Sequence, residues 1–163
     1  MPLFFHLLIH FSLAILVGYL AGKYFRKLWL GITIGFIGGF LIDLDHVLEY
    51  FFVYGLNFNL IYFLQGRQFL ISDKIQLWFH AWEYVVILLI LAYLLKKKNT
   101  VKVVLVTLAL AIGVHLATDS VINHYPPQFY SLSYRASLDF SAKELMSQEE
   151  YELNQKWKSE IGL

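Results

Sequence analysis

The sequence predicts an all-α membrane protein: a bundle of four transmembrane helices, with interfacial segments between the second and third and a surface helix at the C-terminal end. Three observations predict it. The 163 residues are 58% hydrophobic and 18% aromatic with a mean hydropathy of +0.57, above the ~45 to 50% apolar content usual for soluble domains. Four apolar stretches approach the ~20 residues needed to cross a ~30 Å hydrocarbon layer. Seven of the thirteen basic residues fall in two short turns, Lys23, Arg26 and Lys27 in one and Lys96, Lys97, Lys98 and Lys102 in the other, with no acid in either.

The first stretch, Pro2 to Ala21, has no basic residue ahead of it and no small-residue cleavage site, so it reads as a retained span and not a signal peptide. The second, Leu28 to Leu48, carries Gly31, Gly35, Gly38 and Gly39, a small-residue stripe that lets helix backbones approach closely. Tyr50 to Lys74 is rich in Phe, Tyr and Leu but interrupted by Gly55, Asn57, Asn59 and Gly66. It is expected to form short helices in the outer interface. The third stretch runs from about Ile75 to Leu95 and the fourth from about Val101 to Ile122, where Pro126 and Pro127 prevent continuation.

Beyond the prolines the chain turns polar. Ser141 and Glu144 form a capping-box pattern, and Ala142 to Lys158 reads as a surface helix with a solvated charged face. The domain reading is one membrane-embedded domain, residues 1–130, followed by a polar tail, residues 131–163. The absence of cysteine rules out disulfides and thiolate metal ligands.

The positive-inside rule puts the basic loops 22–28 and 96–102 in the cytoplasm of an inner or plasma membrane, with both termini facing outward. Every apolar stretch then carries ionisable groups at its outer end. His6 and His10 open the first, Asp43, Asp45 and His46 close the second, His80 and Glu83 open the third, and His115 and Asp119 close the fourth. His10, Asp43, His80 and His115 lie 13 to 16 residues from the basic turns, which at ~1.5 Å per residue puts them in one tier roughly 20 to 24 Å from that rim.

An Asp within a span costs roughly 2.5 to 3.5 kcal/mol even on a lenient scale, so the tier calls for a function. Imidazoles and carboxylates without sulfur suit zinc, manganese or iron, and the number of donors allows one or two ions. Two other readings remain open: a bis-histidine haem on His10 and His115, and a metal-ion or proton pathway along the acids. Carboxylates are a poor haem lining, and a pathway calls for charges at several depths. Asp45 is turned away from Asp43 and His46 on a regular helix and shares its face with Glu49. Either the helix unwinds there or Asp45 serves a second centre.

The run Leu41-Ile42-Asp43-Leu44-Asp45-His46, the N-terminal histidine, His80 and the His115-x-x-x-Asp119 pair together resemble the YdjM-like family of inner-membrane metal-dependent hydrolases. That family is itself similar to the zinc-dependent phospholipase C and single-strand nuclease superfamily. The likeness covers residues 1 to about 130, with Ile42 standing where the family has proline and Phe79-His80-Ala81 where it has Thr-His-Ser. It implies hydrolysis of a phosphoester, lipid included, by one or two divalent ions, most simply Zn2+, with Mn2+ or Fe2+ as alternatives.

The implied ligands are His10 or else His6, with Asp43, His46, His80, His115 and Asp119. Asp45 is expected as a ligand and, with Glu83, as the bridging ligand or general base. Arg67, Lys74 and Arg135 are the candidates to receive phosphate oxygens. Membrane lipid is the expected partner, and no nucleic acid is expected.

Overall fold

The computed structural model describes residues 3–160 and residue 162. Among them the chain is all-helical, with one isolated antiparallel bridge between Lys74 and Ser141 and no strand. The predicted start of the first stretch at Pro2 lies outside the described residues. The α-helices are α1 Leu3–Tyr24, α2 Leu28–Gly39, α3 Leu44–Tyr54, α4 Leu60–Leu64, α5 Arg67–Ser72, α6 Trp82–Leu94, α7 Asn99–Ile122, α8 Leu132–Ser137, α9 Ala142–Leu145 and α10 Gln148–Glu160. Two 3-10 turns, Leu41–Asp43 and Pro127–Tyr130, complete the order.

Three helical runs are long and apolar enough to cross a membrane: Phe4–Tyr24, Leu28–Tyr54 and Asn99–Ile122. The third predicted stretch differs, because its helix begins at Trp82 instead of near Ile75 and is 13 residues long, about 20 Å at ~1.5 Å per residue. A physical reason lies in residues 73–78. Asp73 and Leu77 have left-handed backbone, at φ 51° and 43°. The Gln76 and Leu77 amides donate to the Glu49 carboxylate at 2.8 and 3.1 Å instead of to a helix ladder.

Two compact units divide the chain, Met1–Asp43 with Phe79–Ser131, and Leu44–Trp78 with Leu132–Leu163. In the first, α1 and α2 pack through glycine. Gly18 and Gly22 of α1 face Gly31 and Gly35 of α2, and a Cβ built on Gly35 would fall 2.5 Å from Gly18 Cα and 2.6 Å from Ala14 O. No side chain fits there, so the backbones touch, the arrangement that small-xxx-small stripes provide where lipid removes the hydrophobic drive between helices. Gly38 and Gly39 continue the stripe against Leu108 and Ala111 of α7.

At the far end of this unit the two basic turns lie side by side. Lys27 Nζ donates to Thr100 Oγ1, and Lys102 Nζ sits 5.9 Å from the Phe25 ring. Large apolar side chains of α1 and α6, among them Phe4, Phe11, Leu20, Ile87 and Ile90, are exposed, an amount of bare hydrocarbon that marks a lipid or partner surface.

The second unit is built around Tyr50, fully buried among Tyr54, Phe58 and Phe63. The Tyr50 hydroxyl accepts the Asn59 amide at 2.9 Å, and Asn59 Oδ1 caps α4 by accepting the Ile61 and Tyr62 amides. Arg135, also fully buried, donates from Nη2 to the Leu77 carbonyl at 2.9 Å. The C-terminal segment is tied to residues 73–75: Gln155 and Lys158 donate to the Asp73 carboxylate at 3.2 and 2.9 Å, and the Ile75 amide donates to the Phe140 carbonyl.

The helix expected over Ala142 to Lys158 is two helices separated at Met146 and Ser147. Ser141 makes no side-chain cap. The reciprocal capping box is Ser147 with Glu150: the Glu150 carboxylate accepts the Ser147 amide at 3.1 Å and the Ser147 hydroxyl accepts the Glu150 amide at 3.3 Å.

Candidate metal centre

Six side chains of the first unit converge at one end: His6 and His10 of α1, Asp43 at the close of the 3-10 turn after α2, His80 just ahead of α6, and His115 and Asp119 of α7. His10, His80, His115 and Asp119 are no more than 3% exposed. His6 and Asp43 keep about a fifth of their side-chain surface open, at 20% and 21%. Each reaches the site for a local reason.

The four-residue spacings His6 to His10 and His115 to Asp119 align each pair on one helix face. Asp43 points inward because α2 ends at Gly39 and the chain tightens into the 3-10 turn Leu41–Asp43. His80 occupies the centre of a three-residue turn, closed by the Ala81 amide donating to the Phe79 carbonyl at 3.0 Å.

Two donor groups share one carboxylate. On one side Asp119 Oδ1 lies 3.0 Å from His10 Nε2 and 3.4 Å from His6 Nε2, and the two imidazole nitrogens are 3.0 Å apart. On the other, Asp119 Oδ2 lies 3.1 Å from His115 Nε2 and 3.5 Å from His80 Nε2. These two nitrogens are 3.0 Å apart, and Asp43 Oδ1 is 3.3 Å from His80 and 3.4 Å from His115. Ligand atoms around a tetrahedral zinc, at bonds of ~2.0 to 2.1 Å, are separated by about 3.3 to 3.4 Å. His80, His115 and Asp119 Oδ2 therefore have the edges of one tetrahedral face, with Asp43 Oδ1 against both of its imidazoles, and the first group is a second three-donor face.

The donor chemistry fits a cation for a further reason. His115 Nδ1 lies 3.0 Å from the Gly39 carbonyl, which only accepts, so Nδ1 carries a proton and Nε2 is the nitrogen turned toward two carboxylate oxygens. A buried nitrogen and carboxylate oxygens this close need a positive charge between them, which either a proton on Nε2 or a metal ion supplies. A backbone carbonyl holding the distal ring nitrogen is also the usual way a metal-binding imidazole is fixed in tautomer and direction. Of the described His, Asp and Glu residues, His6, His10 and Asp119 form one group able to hold an ion, and His80, His115 and Asp119 another.

The remaining sequence candidates are placed as follows. Glu83, in the first turn of α6, accepts the Ser131 hydroxyl at 2.6 Å. Asp45 and His46 lie on α3 in the second unit, Asp45 fully buried and His46 edge-on to Phe69 at 5.9 Å between ring centroids. Arg67 lies 4.0 Å over the Tyr62 ring and donates to Gln65. Lys74 pairs with Asp139 at 3.1 Å, and Arg135 is the buried donor to Leu77.

The sequence left His6 and His10 as alternatives, whereas the structure brings both in. Gly39 entered the sequence reading only as a packing residue, since a carbonyl that orients a ring leaves no mark in residue identity. Ser131 was not singled out either. No protein-family model matches this chain, and neither a curated protein nor a solved structure matches it.

Proposed function

We propose that this chain is a membrane-bound, metal-dependent hydrolase of a phosphoester, with lipid as the substrate class its membrane setting favours. The observation that carries the reading is the convergence of four imidazoles and two carboxylates, from four separate segments, at ligand-to-ligand distances of 3.0 to 3.5 Å. His80, His115, Asp43 and Asp119 would hold one divalent ion, and His6, His10 and Asp119 a second. The resemblance to the YdjM-like hydrolases supports the same reading.

A bound divalent ion supplies Lewis acidity and a water of lowered pKa, and neutralises charge developing on phosphoryl oxygens. The protein does the rest. Gly39 fixes the His115 tautomer so that Nε2 is the ligand atom. Asp119 offers one oxygen to each donor group, which sets their spacing. The three-donor face of His6, His10 and Asp119 leaves positions for water and substrate, the arrangement of catalytic sites as opposed to structural ones. The partial exposure of His6 gives that face its way in.

For topology, the reading is that the basic turns 22–28 and 96–102 face the cytoplasm of the inner or plasma membrane, with the donor end outward and Tyr50 to Lys74 at the outer interface.

Elemental analysis of detergent-purified protein, beside an Asp43→Ala/His115→Ala double variant, tests the proposal when phospholipid and generic phosphoesters are assayed on the same preparations. The wild type carries zinc, manganese or iron and cleaves at least one phosphoester, and the double variant loses both properties. Wild-type protein with only trace metal ends the metal reading. Metal flux across liposomes without hydrolysis makes the protein a transporter.

A further inference from the structure

His80 is a donor without a helix of its own. Its neighbours on α1 and α7 are held by continuous hydrogen-bond ladders, but His80 sits in a γ-type turn between the non-helical segment 73–81 and Trp82, where α6 begins. Ala81, the residue that caps α6, is fully buried and supplies no side-chain cap. The backbone that carries the ring runs straight into the first turn of α6, and that turn is held from outside. The next two, Trp82 and Glu83, are both tied to the segment after α7.

Trp82 Nε1 donates to the Pro127 carbonyl at 2.9 Å, and the Ser131 hydroxyl donates to Glu83 Oε1 at 2.6 Å. The segment they grip is stiff. Ser120 donates to the Tyr125 carbonyl at 2.6 Å, Tyr125 stacks on Phe129 at 4.2 Å, and two prolines limit the backbone between them. Tyr130, at the end of the same turn, is buried with its ring 6.5 Å from that of His80. The distance from Glu83 to His80 is three positions along the chain.

We propose that Glu83 and Ser131, with Trp82 and Pro127, form a clasp that sets the direction of His80, so that Glu83 and Ser131 are positioning residues of the metal centre. The inference rests on the metal-centre reading above. It assigns Glu83 a hydrogen-bond acceptor's role toward Ser131, in place of the general-base role expected from sequence. Partners hydrogen-bonded directly to a ligand change metal affinity roughly 10-fold to 100-fold when removed, and a clasp that acts through the backbone falls at the lower end of that range.

The test uses the full chain in detergent, freed of metal and titrated with Co2+, whose visible absorption reports ligand number and geometry. Ser131→Ala and Glu83→Ala each weaken Co2+ binding by roughly 10-fold or more and alter the visible band, with little change in unfolding temperature. Glu83→Gln, which keeps an acceptor for the Ser131 hydroxyl, stays close to wild type in affinity and spectrum. On a His80→Ala background, Ser131→Ala makes no further difference, because the residue it orients is gone.

The clasp is overturned if Ser131→Ala leaves the wild-type affinity and spectrum unchanged, or weakens binding equally with and without His80. It is also overturned if Glu83→Gln abolishes hydrolysis while Co2+ affinity holds, which would make Glu83 a base. Wild-type protein that takes up no Co2+ removes the metal centre and the clasp together. Co2+ binding with the predicted variant pattern but no hydrolysis of any phosphoester leaves the clasp standing and removes only the hydrolase reading.

Discussion

Asp119 touches both donor groups, and Asp43 only one. On the proposed metal reading, replacing either carboxylate by an amide removes charge that would offset the ion and keeps the shape, so the two positions should differ in degree. Asp119→Asn lowers bound metal at both groups, whereas Asp43→Asn lowers it at the His80 and His115 side alone, read by elemental analysis of parallel preparations. Equal losses in the two variants would contradict the shared position of Asp119. A second residue, Glu49, carries a structural load. Its carboxylate receives two consecutive backbone amides of residues 76 and 77. Glu49→Ala leaves the buried Leu77 amide without its acceptor, at a cost of about 1 to 3 kcal/mol, and frees the half-buried Gln76 amide as well. Faster proteolysis within residues 73–78, compared with wild type in the same detergent, is the expected sign.

Among the elements, the α1 and α2 pair depends on backbone contact at glycine. Gly35→Leu would drive a side chain into Gly18 and Ala14, and because the obstruction is backbone, no rotamer relieves it. Overpacking of this kind costs about 1 to 3 kcal/mol or more, measurable as a lower unfolding temperature. Gly113→Ala on α7 meets only the Val85 side chain at 3.8 Å and serves as the tolerated control. In α10, Ser147→Ala removes the reciprocal cap and costs about 1 kcal/mol, seen as reduced helicity of the C-terminal segment. Here the sequence held the right pattern twice, at Ser141 and Ser147, and only tertiary context chose between them.

The same distinction runs through the rest of the chain. The apolar runs and the spacing of His6, His10, His115 and Asp119 were legible because helix periodicity and hydropathy are local. The glycine stripe was legible on α2, and its partner Gly18 and Gly22 could have been found by the same spacing. The extended strap at 73–78 was not legible, because what stops the helix there is Glu49, more than 25 residues earlier, and a distant acceptor leaves no trace in local composition.

At the scale of the whole molecule, the adjacency of the two basic turns, joined by Lys27 and Thr100, gives the first unit one cationic end and one end carrying the donors. The proposed topology makes a direct prediction for intact cells. A single cysteine in the Lys96 to Asn99 turn stays unlabelled by an impermeant thiol reagent, while one near Ser147 is labelled. The reverse pattern would turn the protein over and put the donor end in the cytoplasm.

The interleaving of the two units carries a consequence for biogenesis. His6, His10 and Asp43 emerge from the ribosome early, and His80, His115 and Asp119 follow only after the entire intervening stretch of the other unit. Helices α1 and α2 can zip together as a hairpin through their glycines while the chain is still being made, but the cage has no second half until Asp119 has been synthesised. On the proposed reading ion capture is thereby a late event, and a nascent chain stalled before α7 would hold His6, His10, Asp43 and His80 without His115 and Asp119, an unfinished site exposed to misassembly.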